Sequence, residues 1–255
     1  AEDQKIVDTI KSNKILTQFD KPKKFDRDVV VIGAGSGGLV AALIVATVKG
    51  KVTLIEKHKM GGDCLNTGCV PSKSLIRSAK LVHDLHRGEA LGMPSQKLEF
   101  DFASVMERVQ RIIKTIEPHD SVERYESLGV DCEIGVGKIL SPYEVEVNGK
   151  VITTKSIIIA TGAGPLVPPI KDIDQVDYLT SDNLWEVREQ PKNLVVLGGG
   201  PIGTELSQAF CRLGTKVTQV EAFDRILGRE DPEISEMMLH RLEEEGVNVQ
   251  LNTMA

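Results

Sequence analysis

Cys64 and Cys69 are the residues in this chain best suited to chemistry. Four residues separate them within Met60-Gly61-Gly62-Asp63-Cys64-Leu65-Asn66-Thr67-Gly68-Cys69-Val70-Pro71-Ser72-Lys73, between a Gly-Gly turn and an expected helix start. That spacing permits a local disulfide, whose Cα atoms must come within roughly 4.4–6.8 Å. A cysteine at the mouth of a helix has its thiolate favoured by unpaired backbone N–H groups and by the helix dipole. A structural disulfide or two buried thiols are the plainer alternatives. Structural disulfides are rare in proteins of cytosolic character, so a redox-active pair is the stronger reading. No second Cys/His pair stands nearby at ligand spacing, which argues against a zinc knuckle. Redox chemistry here requires an electron source elsewhere in the chain.

Composition bounds the answer. The 255 residues are 41% hydrophobic and 27% charged, an ordinary globular balance for one large or two modest domains. The net charge is -6, and the basic run goes no further than Lys21-Pro22-Lys23-Lys24, which argues against a nucleic-acid partner. No apolar run reaches the ~18 residues of a membrane span. The most apolar window, Leu39 to Val48, follows a glycine-rich turn and reads as a buried helix. With no signal peptide in view, a cytoplasmic location is expected. The isolated Cys132 and Cys211 are expected to fill core positions as small hydrophobes.

A candidate nucleotide-binding pattern is written twice. Asp28-Val29-Val30-Val31-Ile32 is a buried-strand run leading into Gly33-Ala34-Gly35-Ser36-Gly37-Gly38, a helix over 39–49, and a second strand ending in Glu56. Gly33, Gly35 and Gly38 fit G-x-G-x-x-G: tight turn, close backbone approach to a pyrophosphate, and close helix–strand packing. The phosphates would sit on the helix N-terminus, and Glu56 would accept hydrogen bonds from a ribose diol. The construction returns in Asn193–Leu197, then Gly198, Gly200 and Gly203, a helix over 204–213, and a strand ending in Glu221. The first glycine and the acid are 23 positions apart in both copies (33 to 56, 198 to 221). Either copy alone is compatible with an ordinary βαβ turn; two copies with one offset point to two dinucleotide sites.

Other segments position these. Residues 1–25 carry Ile6, Val7, Ile10, Ile15 and Leu16 at helical spacing and read as a short amphipathic helix and tether. A helix is expected over 70–86, and a long one over 102–128 with a break near Glu117-Pro118. Strands are expected over 130–139, 144–154 and 156–160, with a type I′ turn at Asn148-Gly149. Pro165, Pro168 and Pro169 mark the approach to the second module. Asp231-Pro232 reads as an N-cap with proline at the first helical position, and Gly246 as that helix's end. The expected domains are a helix and linker (1–25), a first dinucleotide module (26–165), a connection (166–192) and a second module (193–255). The fold class is α/β: two Rossmann-like modules of parallel sheet with flanking helices and a β-meander, the second incomplete.

The Gly61–Lys73 block resembles the active-site signature of the pyridine nucleotide–disulfide oxidoreductases, nearest the dihydrolipoamide dehydrogenase and mercuric reductase branch. The Gly33–Glu56 module, the strand end Ala160-Thr161-Gly162 and the Gly198–Glu221 module follow in the family's order. The resemblance implies FAD on the first module, with Gly33, Gly35, Gly38, Glu56, Gly62, Thr161 and Gly162 as contacts. It implies a nicotinamide nucleotide on Gly198, Gly200, Gly203 and Glu221. Cys69 would be the thiol against the flavin and Cys64 the thiol that exchanges with substrate, with Lys73 paired to Glu205 beside them. An acid at 221 would bind a ribose and repel a 2′-phosphate, so NAD is favoured over NADP, although Arg225 lies four residues on.

The departures from the family matter as well. The dimerisation domain, which carries an acid/base His-Glu pair, has no counterpart here, so the chain reads as a fragment of a homodimeric enzyme and these 255 residues alone are expected to turn over disulfides poorly. None of His58, His83, His86, His119 and His240 stands in the expected His-Pro context; they are placed in loops or polar helices. Asp63 stands where Thr is common and Pro201 where a bulky residue is frequent, and either could mark an unusual substrate. The implied substrate is a small-molecule disulfide. The alternatives are a metal-ion reductase of the mercuric type, whose soft ion a dithiol would bind, and a non-catalytic flavin-binding module.

Overall fold

The computed structural model describes residues 19–254; the amphipathic helix expected around Ile6–Leu16 lies outside them. In chain order the elements are β1 (Arg27–Ile32), α1 (Ser36–Thr47), β2 (Val52–Glu56), α2 (Gly62–Asn66), α3 (Cys69–His86) and α4 (Phe102–Ile116). There follow α5 (Val122–Ser127), β3 (Asp131–Ile134), β4 (Lys138–Ser141), β5 (Glu144–Val147), β6 (Lys150–Ile159) and β7 (Asn193–Leu197). The last are α6 (Pro201–Arg212), β8 (Lys216–Val220), α7 (Pro232–Glu244) and β9 (Asn248–Gln250). They form two compact units: one holds the described residues up to Asn66 with Ile116–Gly164, the other holds Thr67–Thr115 and the residues from Pro165 onward.

The first unit is a mixed sheet of order β3-β2-β1-β6-β5-β4. β1 runs parallel to β2 and β6, β2 parallel to β3, and β5 antiparallel to β4 and β6. β1 and β2 are covered on both faces, which is why they are continuously apolar. Side chains alternate across the pleat: Val31 and Leu54 join Leu39, Ala42 and Tyr125 on one face, while Val30, Ile32 and Ile55 join Val145, Val147 and Ile152 on the other.

Three expected elements differ in their bounds. The return half of the hairpin expected over 144–154 and the strand expected over 156–160 are a single strand, β6, which pairs antiparallel with β5 through Lys150–Thr153 and parallel with β1 through Thr154–Ile159. No glycine or proline interrupts it, so the chain passes from the meander into the parallel sheet without a turn. The strand expected over 130–139 is cut at Gly135-Val136-Gly137 into β3 and β4. The long helix over 102–128 breaks where foreseen: α4 ends at Ile116, a 3₁₀ turn spans Glu117–Asp120, and Ser121 caps α5 by accepting from the Arg124 N–H at 3.3 Å. At the hairpin, Asn148 and Gly149 take φ of 52° and 77°, as a type I′ turn requires.

The second unit builds three parallel strands in the order β7-β8-β9. α3 and α4 pack within it, with Leu75, Ala79, Val82, Met106 and Val109 sharing a core with Trp185, Phe210, Leu213 and Leu242. Asp231 does precede α7 with Pro232 first, but its side chain makes no capping hydrogen bond; its backbone carbonyl accepts from Ser235 instead. Among the described residues, no helix is long and apolar enough to cross a membrane.

Candidate active site

Both glycine turns are built alike. Gly33 and Gly198 take φ of 103° and 105°, a region that disfavours any side chain. A β-carbon on Gly38 would lie 1.7 Å from the Gly33 carbonyl oxygen, and one on Gly203 would lie 2.4 Å from that of Gly198. The third glycine of each turn is therefore there to let the first one's carbonyl fold beneath the helix start. Gly35 and Gly200 are the N-cap residues of α1 and α6; neither helix has a side-chain cap or an acid in its first turn. Such an open, uncapped N-terminus fits a pyrophosphate.

The two acids also behave alike. Glu56 accepts from the Ala34 N–H at 2.7 Å and the His58 N–H at 2.8 Å. Glu221 accepts from the Gly199 N–H at 2.5 Å and the Phe223 N–H at 2.8 Å. Each carboxylate thus ties its glycine turn to the strand end from which it would meet a ribose. Arg225, four residues past Glu221, donates to the Gly228 carbonyl at 2.9 Å in its own loop.

Gly62 packs its Cα against Gly35, where a β-carbon would come within 2.5 Å of the Gly35 Cα. Thr161 and Gly162 follow β6 on exposed backbone, Gly162 at φ 64°, and the Asp63 carboxylate lies 4.0 Å from where a β-carbon of residue 162 would stand. Cys64 lies partly buried in α2.

Cys69 is the first residue of the 18-residue α3, exposed, with Gly68 as an N-cap that supplies no side-chain hydrogen bond. One turn on, Lys73 Nζ lies 2.6 Å from Glu205 Oε2 of α6. The pair joins two helices whose apolar faces already share the core through Leu75 and Phe210.

Sequence reading missed the groups that hold α3 in place. Trp185, the single tryptophan and only 4% exposed, donates its indole N–H to the Thr67 carbonyl at 2.8 Å, two residues before Cys69. Arg108 of α4 donates to the Ser74 carbonyl at 2.9 Å. At the far end of α3, His83 lies in a helix as expected, and its Nε2 stands 3.7 Å from the Glu245 carboxylate, whose side chain is 3% exposed. Arg212 binds Glu245 at 2.6 and 2.7 Å and Arg241 at 2.7 Å. Burial opposes ionisation of Glu245, but the hydrogen bonds and charge of Arg212, helped by His83 and Arg241, hold its carboxyl below the usual range. Burial pulls His83 below its ordinary value; the Glu245 charge opposes this and the nearby arginines reinforce it. No local pattern signals this cluster, because its members lie on three helices and a helix end.

Cys132 and Cys211 are half-buried against the apolar clusters, as small hydrophobes. Burial, with Glu126 and Asp131, pushes the Cys132 thiol up to about 11. Burial and Glu245 also push Cys211 up, and its Sγ contacts the Glu245 carbonyl oxygen at 3.2 Å.

A family model described as pyridine nucleotide-disulphide oxidoreductase matches residues 27–255. The chain belongs to that family. A mercuric reductase of Bacillus cereus is 36% identical over 88% of this chain and 36% of its own length. A dihydrolipoyl dehydrogenase of Acholeplasma laidlawii is 35% identical over 87% of this chain and 67% of its own. The solved structure of an HOCl-induced flavoprotein disulfide reductase, RclA from Escherichia coli, superposes with a TM-score of 0.75 at 30% identity, covering 89% of this chain and 49% of that one. The chain therefore spans between about a third and two thirds of the length of these relatives. Oxidoreductase family membership and the α/β fold with its parallel-rich sheet agree with the sequence expectation.

Proposed function

We propose that the chain is the nucleotide- and dithiol-bearing part of an FAD-dependent, NAD(P)H-linked disulfide reductase of dihydrolipoamide dehydrogenase type. The observation that carries this reading is on α3: an exposed Cys69 opens the helix, and Lys73, one turn later, is ion-paired with Glu205. The uncapped glycine turns ahead of α1 and α6 support nucleotide binding at both modules, FAD within 26–165 and the nicotinamide nucleotide within 193–255. Glu221 favours NAD over NADP, since an acid there binds a ribose diol and repels a 2′-phosphate.

In this reading Cys64 attacks one sulfur of the substrate disulfide, forming a mixed disulfide and releasing the first thiolate. Cys69 then attacks the Cys64 sulfur, releasing the second thiolate and leaving a Cys64–Cys69 disulfide. Bound FAD, drawing on the nicotinamide nucleotide, would supply the two electrons that return that disulfide to the dithiol. Lys73 holds positive charge one turn from Cys69, and Glu205 keeps the ammonium oriented. Gly62, Thr161 and Gly162 offer backbone that a ligand can approach closely. The full-length enzyme is proposed to be a cytoplasmic homodimer.

A metal-ion substrate is the second reading, favoured by the 36% identity to a mercuric reductase and by the affinity of thiolates for soft ions. Steady-state assays of the full-length enzyme with lipoamide, glutathione disulfide and Hg(II) separate the two. The disulfide reading expects NADH-dependent reduction of a disulfide that Cys64→Ser and Cys69→Ser each abolish. Turnover of Hg(II) alone would establish the metal-ion reading, and turnover untouched by both substitutions would overturn both.

A further inference from the structure

The two glycine turns differ beneath the surface. In the first module the positions under the turn are Leu39, Ala42 and Leu54, all buried in one apolar cluster. Their counterparts at the same offset from the first glycine are Thr204, Ser207 and Gln219, equally buried at 3%, 0% and 0% exposure. Gln219 Nε2 donates to the Gly198 carbonyl at 3.0 Å and to Thr204 Oγ1 at 3.2 Å. The Gly198 oxygen can only accept, which fixes the orientation of the Gln219 amide. Gln219 Oε1 and Ser207 Oγ are buried without a hydrogen-bond partner among the described residues. An apolar core of the kind seen in the first module would carry no such desolvation cost.

The geometry shows what the polar core holds. A trans peptide directs its C=O and N–H to opposite sides. In the Gly198–Gly199 peptide the C=O is held by Gln219 and the N–H by Glu221 Oε2. Gln219 lies in β8 and Glu221 directly follows its last residue, Val220, so both groups come from one short stretch of backbone. One strand therefore clamps both ends of a single peptide plane. In the first module only the N–H end has such a partner, Glu56 on Ala34, and leucines at 39 and 54 have nothing to donate to the carbonyl.

We propose that Gln219, braced by Thr204, is a positioning residue for the second nucleotide site. It fixes the Gly198–Gly199 peptide plane so that the turn's amides and the Glu221 carboxylate stay oriented for a dinucleotide. Stability is given up beneath the turn for that pre-organisation. The proposal rests on the reading that the second module binds the nicotinamide nucleotide.

The test converts the second module to the pattern of the first, Thr204→Leu, Ser207→Ala and Gln219→Leu together, with Gln219→Met as a volume-conserving single change should the triple variant fail to fold. NADH binding to each chain is titrated by calorimetry, FAD binding serves as the control on the first module, and Tm is read by circular dichroism. The expected result is a Tm for the triple variant equal to or above that of the parent, unchanged FAD affinity, and NADH affinity weakened about ten-fold, the scale of one lost buried hydrogen bond. Gln219→Met, which removes the donor to the Gly198 carbonyl, is expected to lose a similar factor. A folded variant with the parent's NADH affinity overturns the clamp. A parent chain that binds FAD but no NADH overturns the underlying reading of the second module, and the clamp with it.

Discussion

Lys73 Nζ and Glu205 Oε2 lie 2.6 Å apart, joining α3 to α6 across 132 residues of sequence. Both side chains are about half exposed, at 59% and 44%. A pair of that exposure contributes roughly 0–1 kcal/mol to stability. Its geometry therefore matters more for what it places beside Cys69 than for what it holds together.

The consequence is a split between stability and activity. Lys73→Met and Glu205→Gln should each leave the unfolding free energy of the chain, read by urea titration, within about 1 kcal/mol of the parent. In the full-length enzyme each should lower kcat for disulfide reduction at least about ten-fold, or 1.4 kcal/mol of barrier. The double variant should be little worse than either single one, since the two residues act as a unit. Unchanged kcat in both would remove the pair from the mechanism.

Neighbouring glycines should respond in opposite directions. A β-carbon on Gly37 meets nothing within 4 Å, so Gly37→Ala should stabilise the chain by roughly 0.5–1 kcal/mol through helix propensity. Gly38→Ala would set its methyl 1.7 Å from the Gly33 carbonyl, backbone that cannot swing aside. It should cost about 1–3 kcal/mol or more and weaken FAD binding. Denaturant titration of the two variants checks the contrast.

Acid should destabilise the second unit in two stages. His83 and Glu245 both have folded-state pKa values below their ordinary 6.5 and 4.5. A depressed folded pKa means that the unfolded chain takes up the proton first, so stability is full above the unfolded value and falls as pH drops through the folded one. His83 should begin the loss below about pH 6.5 and Glu245 should continue it below about 4.5. Glu245→Gln should lower stability at pH 7 and flatten the lower limb, as read by urea midpoints from pH 7 to 4. A lower limb as steep as the parent's would place the acid sensitivity elsewhere.

Thiol reactivity should separate the cysteines. At pH 7.5, iodoacetamide should label exposed Cys69 well ahead of Cys132, whose thiol is pushed up to about 11, and of Cys211, whose thiol is also raised. The thiolate is the nucleophile, so a raised thiol holds less of its reactive form at that pH and reacts more slowly. Peptide mapping at timed intervals gives the order.

Much of the fold was legible locally. The β-branched runs before Gly33 and Gly198, the glycine spacing and the Asn148-Gly149 turn are short-range signals, and the structure builds each one. The lack of any turn signal at Lys155 and Ser156 is the local mark of one continuous β6, but that a single strand serves two ladders shows only in its pairing with β1 and β5. The union of Lys73 with Glu205 was implied by family resemblance and could not be read from spacing across 132 residues. Trp185 on Thr67, and Glu245 with Arg212, Arg241 and His83, escaped for the same reason: each bond depends on helices brought together by a core that sequence periodicity does not pair. The polar substitutions at Thr204, Ser207 and Gln219 stood in plain view, but acquire meaning only once their burial under the turn is known.

The central claim, a redox dithiol served by a flavin, is tested most directly by the visible spectrum of the FAD-loaded protein during anaerobic two-electron reduction, beside its Cys69→Ser variant. A long-wavelength absorption band should grow in the parent as the Cys64–Cys69 disulfide opens and be absent from the variant. If parent and variant bleach along the same course, with no such band and no new thiols titrated in the parent, the claim is contradicted.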